Sequence, residues 1–306
     1  MGTPDFSVPT LKCLIESEHE VAAVVTQPDK PRGRGREVQM TPVKELALKH
    51  HLMVYQPKRA GNPEFVAELR ALKPDVMVVI AFGQILSAEL LSVPVYGCIN
   101  IHASLLPKYR GASPIQWAVI NGDKESGITT MMMEEGMDTG DILETMIITL
   151  DDKETGGSLF ERLSVLGGGL ILSTLKQLEE GTLIRTPQVH EQATYVKKIS
   201  KTFGDIDWSL SASAIERLIR GLNPWPSAYT HWGGKLLKIW EADALTGLLP
   251  GVPGQILKAA NDVLWVQTGN GILAVKSLQL EGKKRMDTAA FLRGYSIEAG
   301  GKFERS

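Results

Sequence analysis

An amide and an imidazole two residues apart, Asn100 and His102, are the pair in this sequence best suited to chemistry on a carbonyl. In an extended strand, residues two apart project to the same side. Side by side, such groups can polarise a carbonyl, stabilise the oxyanion formed on nucleophilic attack, and move a proton. Further on, Glu135-Gly136-Met137-Asp138-Thr139-Gly140-Asp141 sets Asp138 between two glycines, on a loop that can bring a carboxylate to a histidine and orient its ring. Asn100, His102 and Asp138 together make an acyl-transfer site with no serine or cysteine nucleophile. Each also has a plainer reading. A histidine at a strand end is more often a satisfied structural residue, Asp between glycines is common turn chemistry, and Leu105-Leu106-Pro107 could anchor a loop.

To act, these residues need a strand that ends where ligands bind. Three short apolar runs, at 21–26, 76–82 and 97–102, read as buried strands of a parallel sheet, with helix-compatible sequence at 42–50 and 63–72. This alternation predicts an α/β fold, and in open α/β sheets sites form beyond the carboxyl ends of strands, where Asn100 and His102 lie. Residues 158–180 read as a long helix interrupted or softened by Gly167, Gly168 and Gly169 and capped by Gly181. The polar stretch 182–196, with Pro187 and no periodicity, predicts an extended linker between a first domain over 1–181 and a second over 197–306. In the second, a helix over 211–220 precedes short alternating segments at 228–232, 236–240, 263–267 and 272–280. Short strands parted by glycine-rich turns favour a small β-barrel, and the OB type is repeatedly used on nucleic acid.

Composition narrows the functions. At 306 residues, 43% hydrophobic and 22% charged, the chain has the material for two packed cores. No apolar run approaches the roughly 20 residues of a membrane span, and the start lacks secretory signal features, so no membrane association and a cytoplasmic location are expected. Cys13 and Cys98 have no CxxC spacing, which supports neither a disulfide framework nor a zinc site; both read as small hydrophobes. The net charge of −2 conceals an asymmetry. From Arg185 onward there are 16 Lys and Arg against 11 Asp and Glu, and before it 17 against 24. A basic second part hints at a polyanionic partner.

The pattern Asn100-x-His102-x-Ser104-Leu105-Leu106-Pro107-x-Tyr109-Arg110-Gly111, followed by Gly136-Met137-Asp138-Thr139-Gly140-Asp141, resembles the folate-dependent formyltransferase family. Gly2-Thr3-Pro4-Asp5-Phe6, the stretch from Gln27 to Gly35, Phe82-Gly83-Gln84-Ile85-Leu86, Lys197-Lys198-Ile199-Ser200, Asn223-Pro224-Trp225-Pro226 and Phe291-Leu292-Arg293-Gly294-Tyr295 look like its methionyl-tRNA formyltransferase branch, and together cover almost the whole chain. The resemblance implies a Rossmann-like formyltransferase domain with a mostly parallel sheet, a linker, and an OB-like C-terminal domain that helps hold tRNA. The family's catalytic residues fall on Asn100, His102 and Asp138, and its folate-binding segment on Ser104, Leu105, Leu106 and Pro107. The formyl donor implied is 10-formyltetrahydrofolate, the acceptor methionyl initiator tRNA, and no metal takes part. Arg32, Arg34 and Arg36, on a glycine-rich loop suited to phosphate contact, are implied to meet the acceptor stem. Lys283-Lys284-Arg285 could act similarly or be a plain surface cluster. A monomer is expected.

Two departures stand out. In the family a short hydrophobic strand precedes the Gly2-Thr3-Pro4-Asp5 loop, whereas this sequence opens with Met1; the expectation is a start placed too late. Phe82 stands where the family more often has tyrosine. The rival functions are formyl transfer to a sugar nucleotide or purine-precursor amine, and tRNA binding without catalysis. A dehydrogenase reading lacks a GxGxxG turn.

Overall fold

The computed structural model describes residues 1–32, 37–247 and 250–305. The chain divides into two compact units: Met1–Pro114, Ser126–Ile148 and Phe160–Val196 form the first, and Ile115–Glu125, Thr149–Leu159 and Lys197–Ser306 the second. In chain order, the elements up to the end of the first unit begin with α1 (Val8–Glu16), β1 (Val24–Val25), β2 (Lys30–Arg32), β3 (Glu37–Gln39), α2 (Pro42–Lys49), β4 (Val54–Tyr55) and α3 (Pro63–Ala71). They continue with β5 (Met77–Val79), α4 (Ala88–Leu91), β6 (Cys98–His102), β7 (Arg110–Gly111), α5 (Pro114–Asn121), β8 (Glu125–Met132), β9 (Ile142–Thr149), α6 (Gly156–Glu179) and β10 (Tyr195–Val196).

Local sequence explains the helices. α2 and α3 each open on proline, which is pre-set for the first helical position, behind a capping side chain. Thr41 Oγ1 accepts from Lys44 N at 3.1 Å, and Asn62 Oδ1 from Glu64 N at 3.2 Å. The apolar face of α3 buries Phe65, Val66 and Leu69 against a core that includes Val79 and Cys98.

The sheet of this unit is Rossmann-like, with parallel pairs β1–β4 and β5–β6. β8 adds antiparallel to β6, in the order β5-β6-β8-β9. Met1 and Gly2 join the two parallel pairs: Gly2 N donates to Val25 O at 2.9 Å, Ile80 N donates to Met1 O at 2.9 Å, and the Met1 amine donates to Val78 O at 2.6 Å. Residues 21–23 and 75–76 instead line a cavity of about 390 Å³ beside Met1. That is why β1 and β5 are shorter than the apolar runs that contain them: a strand ends where its neighbour does.

α6 runs unbroken through its three glycines, of which Gly167 and Gly168 serve close approach rather than interruption. A Cβ on Gly167 would lie 3.1 Å from Ile128 Cδ1 and 3.4 Å from Ile101 Cγ2 of the sheet, and one on Gly168 would lie 2.5 Å from Cys13 Sγ of α1. By length and hydropathy α6 could cross a membrane, yet half of its most apolar stretch is buried, with Leu163, Leu170 and Ile171 in the core.

The second unit holds α7 (Ala212–Gly221), β11 (Ala228–Trp232), β12 (Lys235–Leu245), β13 (Ile256–Ala260), β14 (Val263–Gln267), β15 (Ile272–Leu280), β16 (Met286–Asp287) and α8 (Thr288–Gly294). Its antiparallel sheet runs β11-β12-β15-β14-β13, with β16 on β15. The two ends of that path meet through the C-terminal tail: His231 of β11 bridges Glu304, and Gln255, just before β13, bridges Lys302. The small β domain expected of this part is present, its edges linked by the tail rather than paired with each other. Its core gathers Ile215, Leu237, Leu264, Leu273, Phe291 and Phe303.

Candidate active site

β6 carries the central pair. Alternation along the strand sends Ile99 and Ile101 into the core and leaves Cys98, Asn100 and His102 on the opposite face. His102 is buried at the strand end, opposite Thr129 of β8, and Asn100 is half-buried. Among the described residues the Asn100 side chain has no hydrogen-bond partner, so its amide is open to a ligand.

The His102 ring is anchored at one nitrogen and faces a carboxylate with the other. Nε2 donates to Tyr109 O at 2.9 Å, which assigns the proton to that nitrogen, and Nδ1 faces Asp138 Oδ2 at 3.7 Å. Asp138 arrives on the 136–141 loop in a left-handed conformation, φ 53°. Its Oδ2 also accepts from Gly111 N at 2.7 Å. Glycine is required at 111: its φ is +102°, and a Cβ would fall 2.5 Å from Val196 O of β10. The structure thus brings Asp138 to His102, across 36 positions of sequence, by way of the loop between β8 and β9.

Ser104-Leu105-Leu106-Pro107 forms a tight, internally braced turn. Ser104 Oγ donates to Lys108 O at 2.6 Å, Thr129 Oγ1 donates to Ser104 O at 2.7 Å, and Leu106 N reaches Thr129 Oγ1 at 3.4 Å. Ser104 and Leu106 are buried, while Leu105 and Pro107 are half-buried and offer apolar surface to a ligand.

The stretch 182–196, expected as an extended linker, lies along this site. Arg110 N donates to Thr194 O at 2.8 Å, Ala112 N to Val196 O at 3.1 Å, and Tyr109 N to Thr194 Oγ1 at 2.8 Å. Arg110 is fully buried, and among the described residues its guanidinium has no ion-pair partner. It is satisfied by neutral acceptors: Gln188 Oε1 at 3.1 and 2.8 Å, and Tyr195 Oη at 2.9 Å, with the Tyr195 ring stacked at 5.7 Å. Gln188 in turn donates to Asp138 O at 2.9 Å and Gly140 O at 2.7 Å. Sequence reasoning missed Gln188 because nothing in a polar, aperiodic stretch marks one glutamine; the buried Arg110 in the quoted motif was the available signal.

Cys98 shares the face of Asn100, but burial pushes its thiol up to about 12, with the N-terminal amine acting in the opposite sense. It is a core residue, 1% exposed, as read from the sequence, whereas Cys13 is half-buried. Among the described residues no cluster of three His, Cys, Asp or Glu side chains could hold a metal ion. Arg34 and Arg36 lie outside the described residues, as does the Arg32 side chain; the backbone of Arg32 ends β2, which pairs antiparallel with β3.

Comparison with known proteins bears directly on this geometry. The formyl transferase family model matches residues 1–175, and the model of the formyl transferase C-terminal domain matches residues 198–296. A methionyl-tRNA formyltransferase from Agathobacter rectalis is 55% identical over 99% of this chain and 98% of its own length. One from Clostridioides difficile is 45% identical, over 98% of this chain and 97% of its own. Among solved structures, an N-formyltransferase from Helicobacter canadensis in complex with folinic acid and dTDP-3-aminofucose aligns with TM-score 0.68 at 17% identity, covering 93% of this chain and 97% of that one. HypX from Aquifex aeolicus in complex with tetrahydrofolic acid aligns with TM-score 0.57 at 18% identity, over 80% of this chain and 43% of that one. At these identities the two structures speak for the fold.

Proposed function

The chain belongs to the formyl transferase family, and from that premise we propose that it moves the formyl group of 10-formyltetrahydrofolate to the α-amine of methionyl initiator tRNA. The observation that carries this reading is the open amide of Asn100 beside a His102 ring held between Tyr109 O and Asp138. The acceptor is argued from relatives named methionyl-tRNA formyltransferase that match nearly end to end.

The α-amine attacks the formyl carbon and forms the new C–N bond. The bond from that carbon to N10 of the folate then breaks, and the proton lost by the amine passes to N10. The developing oxyanion needs N–H donors where charge appears: Asn100 supplies one directly, and the Nε2–H of His102 supplies the other when the bound substrate takes it over from Tyr109 O. His102 also relays the proton, and Asp138 keeps its ring in register. Leu105 and Pro107 lie against the folate, while Ser104 and Leu106 hold the turn that presents them.

Arg32, Arg34 and Arg36 contact phosphates near the acceptor stem, and the +5 charge from Arg185 onward favours the same polyanion. The protein acts in the cytoplasm, as a monomer, without a membrane partner. The test is a division of labour. His102→Ala is expected to lower kcat by about a hundred-fold or more while tRNA affinity stays within about two-fold. Equal losses of turnover and tRNA binding would contradict the assignment.

A further inference from the structure

We propose that Gln188 is a positioning residue for the formyl-transfer reaction, acting through Asp138 from the stretch that ends the first unit. The inference rests on the catalytic reading above and extends it to a residue with no place in the motifs of the sequence. The Gln188 amide is buried and its bonding capacity is filled. Both lone pairs of Oε1 take the Nε and Nη2 groups of Arg110, and both Nε2 hydrogens go to main-chain oxygens, Asp138 O and Gly140 O. These contacts fix the orientation of the amide, because reversing it would set donor against donor on one side and acceptor against acceptor on the other.

The consequence falls on the catalytic loop. Asp138 sits at φ 53°, a conformation that side chains other than glycine adopt at a cost and keep only when their surroundings enforce it. Gln188 grips the carbonyls on either side of Thr139, and Gly111 N grips the carboxylate, so Asp138 is held from both its main chain and its side chain. The buried Arg110 charge polarises the Gln188 amide toward those carbonyls and strengthens both bonds. Tyr195, on the same segment, closes the far side of the guanidinium.

Three variants test this: Gln188→Glu, Gln188→Ala and Asp138→Asn, with the Gln188→Ala/Asp138→Asn double variant. Gln188→Glu keeps an acceptor for Arg110 and deletes the two donors; Gln188→Ala leaves room for water and keeps a folded protein in the series if the buried carboxylate does not fold. The expected result is a fall in kcat of about ten- to a hundred-fold for each Gln188 variant, measured well below its melting temperature and larger than any loss of folded protein accounts for, with KM for both substrates within about two-fold. In the Asp138→Asn background, Gln188→Ala is expected to cost nothing further, because its effect passes through Asp138. A folded Gln188 variant with wild-type kcat beside an impaired Asp138→Asn would overturn this inference alone. So would a kcat loss that only follows a falling melting temperature, or full additivity in the double variant. Wild-type kcat in Asp138→Asn would overturn the catalytic reading itself.

Discussion

Asn100→Ala removes an amide with no hydrogen-bond partner among the described residues, so the fold they form loses nothing it was using. Its melting temperature should match the parent while kcat falls by about a hundred-fold, the cost of losing one oxyanion donor, which steady-state formylation and thermal melting would check. At the same scale, Cys98 should resist a thiol reagent at pH 8 until the protein unfolds, while Cys13 reacts first, because burial holds the Cys98 thiol up to about 12. The unfolded chain releases this proton near its ordinary value of 9.0 and the folded chain does not, so the contribution of Cys98 to stability is intact below about 9 and declines as pH rises through the alkaline range. Asn100 and His102 were legible from sequence because strand periodicity puts them on one face, and Asp138 because two glycines announce a loop that can reach them. Gln188 was not legible. Its four bonds join residues 78 positions away at Arg110 and 50 away at Asp138, and no local spacing encodes such a meeting.

At the scale of elements, the glycines of α6 differ in what surrounds them, and that difference is measurable. Gly168→Ala would press a methyl against Cys13 and should destabilise the protein by about 1–3 kcal/mol. Gly169→Ala meets nothing within 4 Å and should stabilise it by about 0.5–1 kcal/mol through helix propensity; denaturant titration separates the two. A sequence shows glycines inside a helical pattern and suggests softening, whereas the reason for them lies on the neighbouring α1 and the sheet. Helices that begin at a proline behind a cap, α2 and α3, were readable to within a residue or two, since their signals are local. The lengths of β1 and β5 were not, because a strand lasts only as long as its partner. The basic loop drew attention for its arginines, yet it contains the β2–β3 pairing, which its proline and glycines do not advertise.

For the whole molecule, the prediction concerns charge. Neutralising Arg32, Arg34 and Arg36 together should weaken binding of initiator tRNA and flatten its dependence on salt by roughly two to three counterions, with kcat at saturating tRNA little changed, as binding isotherms across a salt series would show. The two-part charge balance was visible in composition, but which units the chain forms was not: the first unit ends by threading 182–196 back past the 136–141 loop, a path that a polar, aperiodic stretch does not disclose. The measurement that bears most directly on the account offers labelled 10-formyltetrahydrofolate to this chain together with methionyl initiator tRNA and a dTDP-linked amino sugar in one mixture. The account predicts label on the methionyl amine, none on the sugar, and labelling of the methionyl amine slowed by about a hundred-fold or more with His102→Ala. Label on the sugar alone, or equal transfer by His102→Ala, would contradict it.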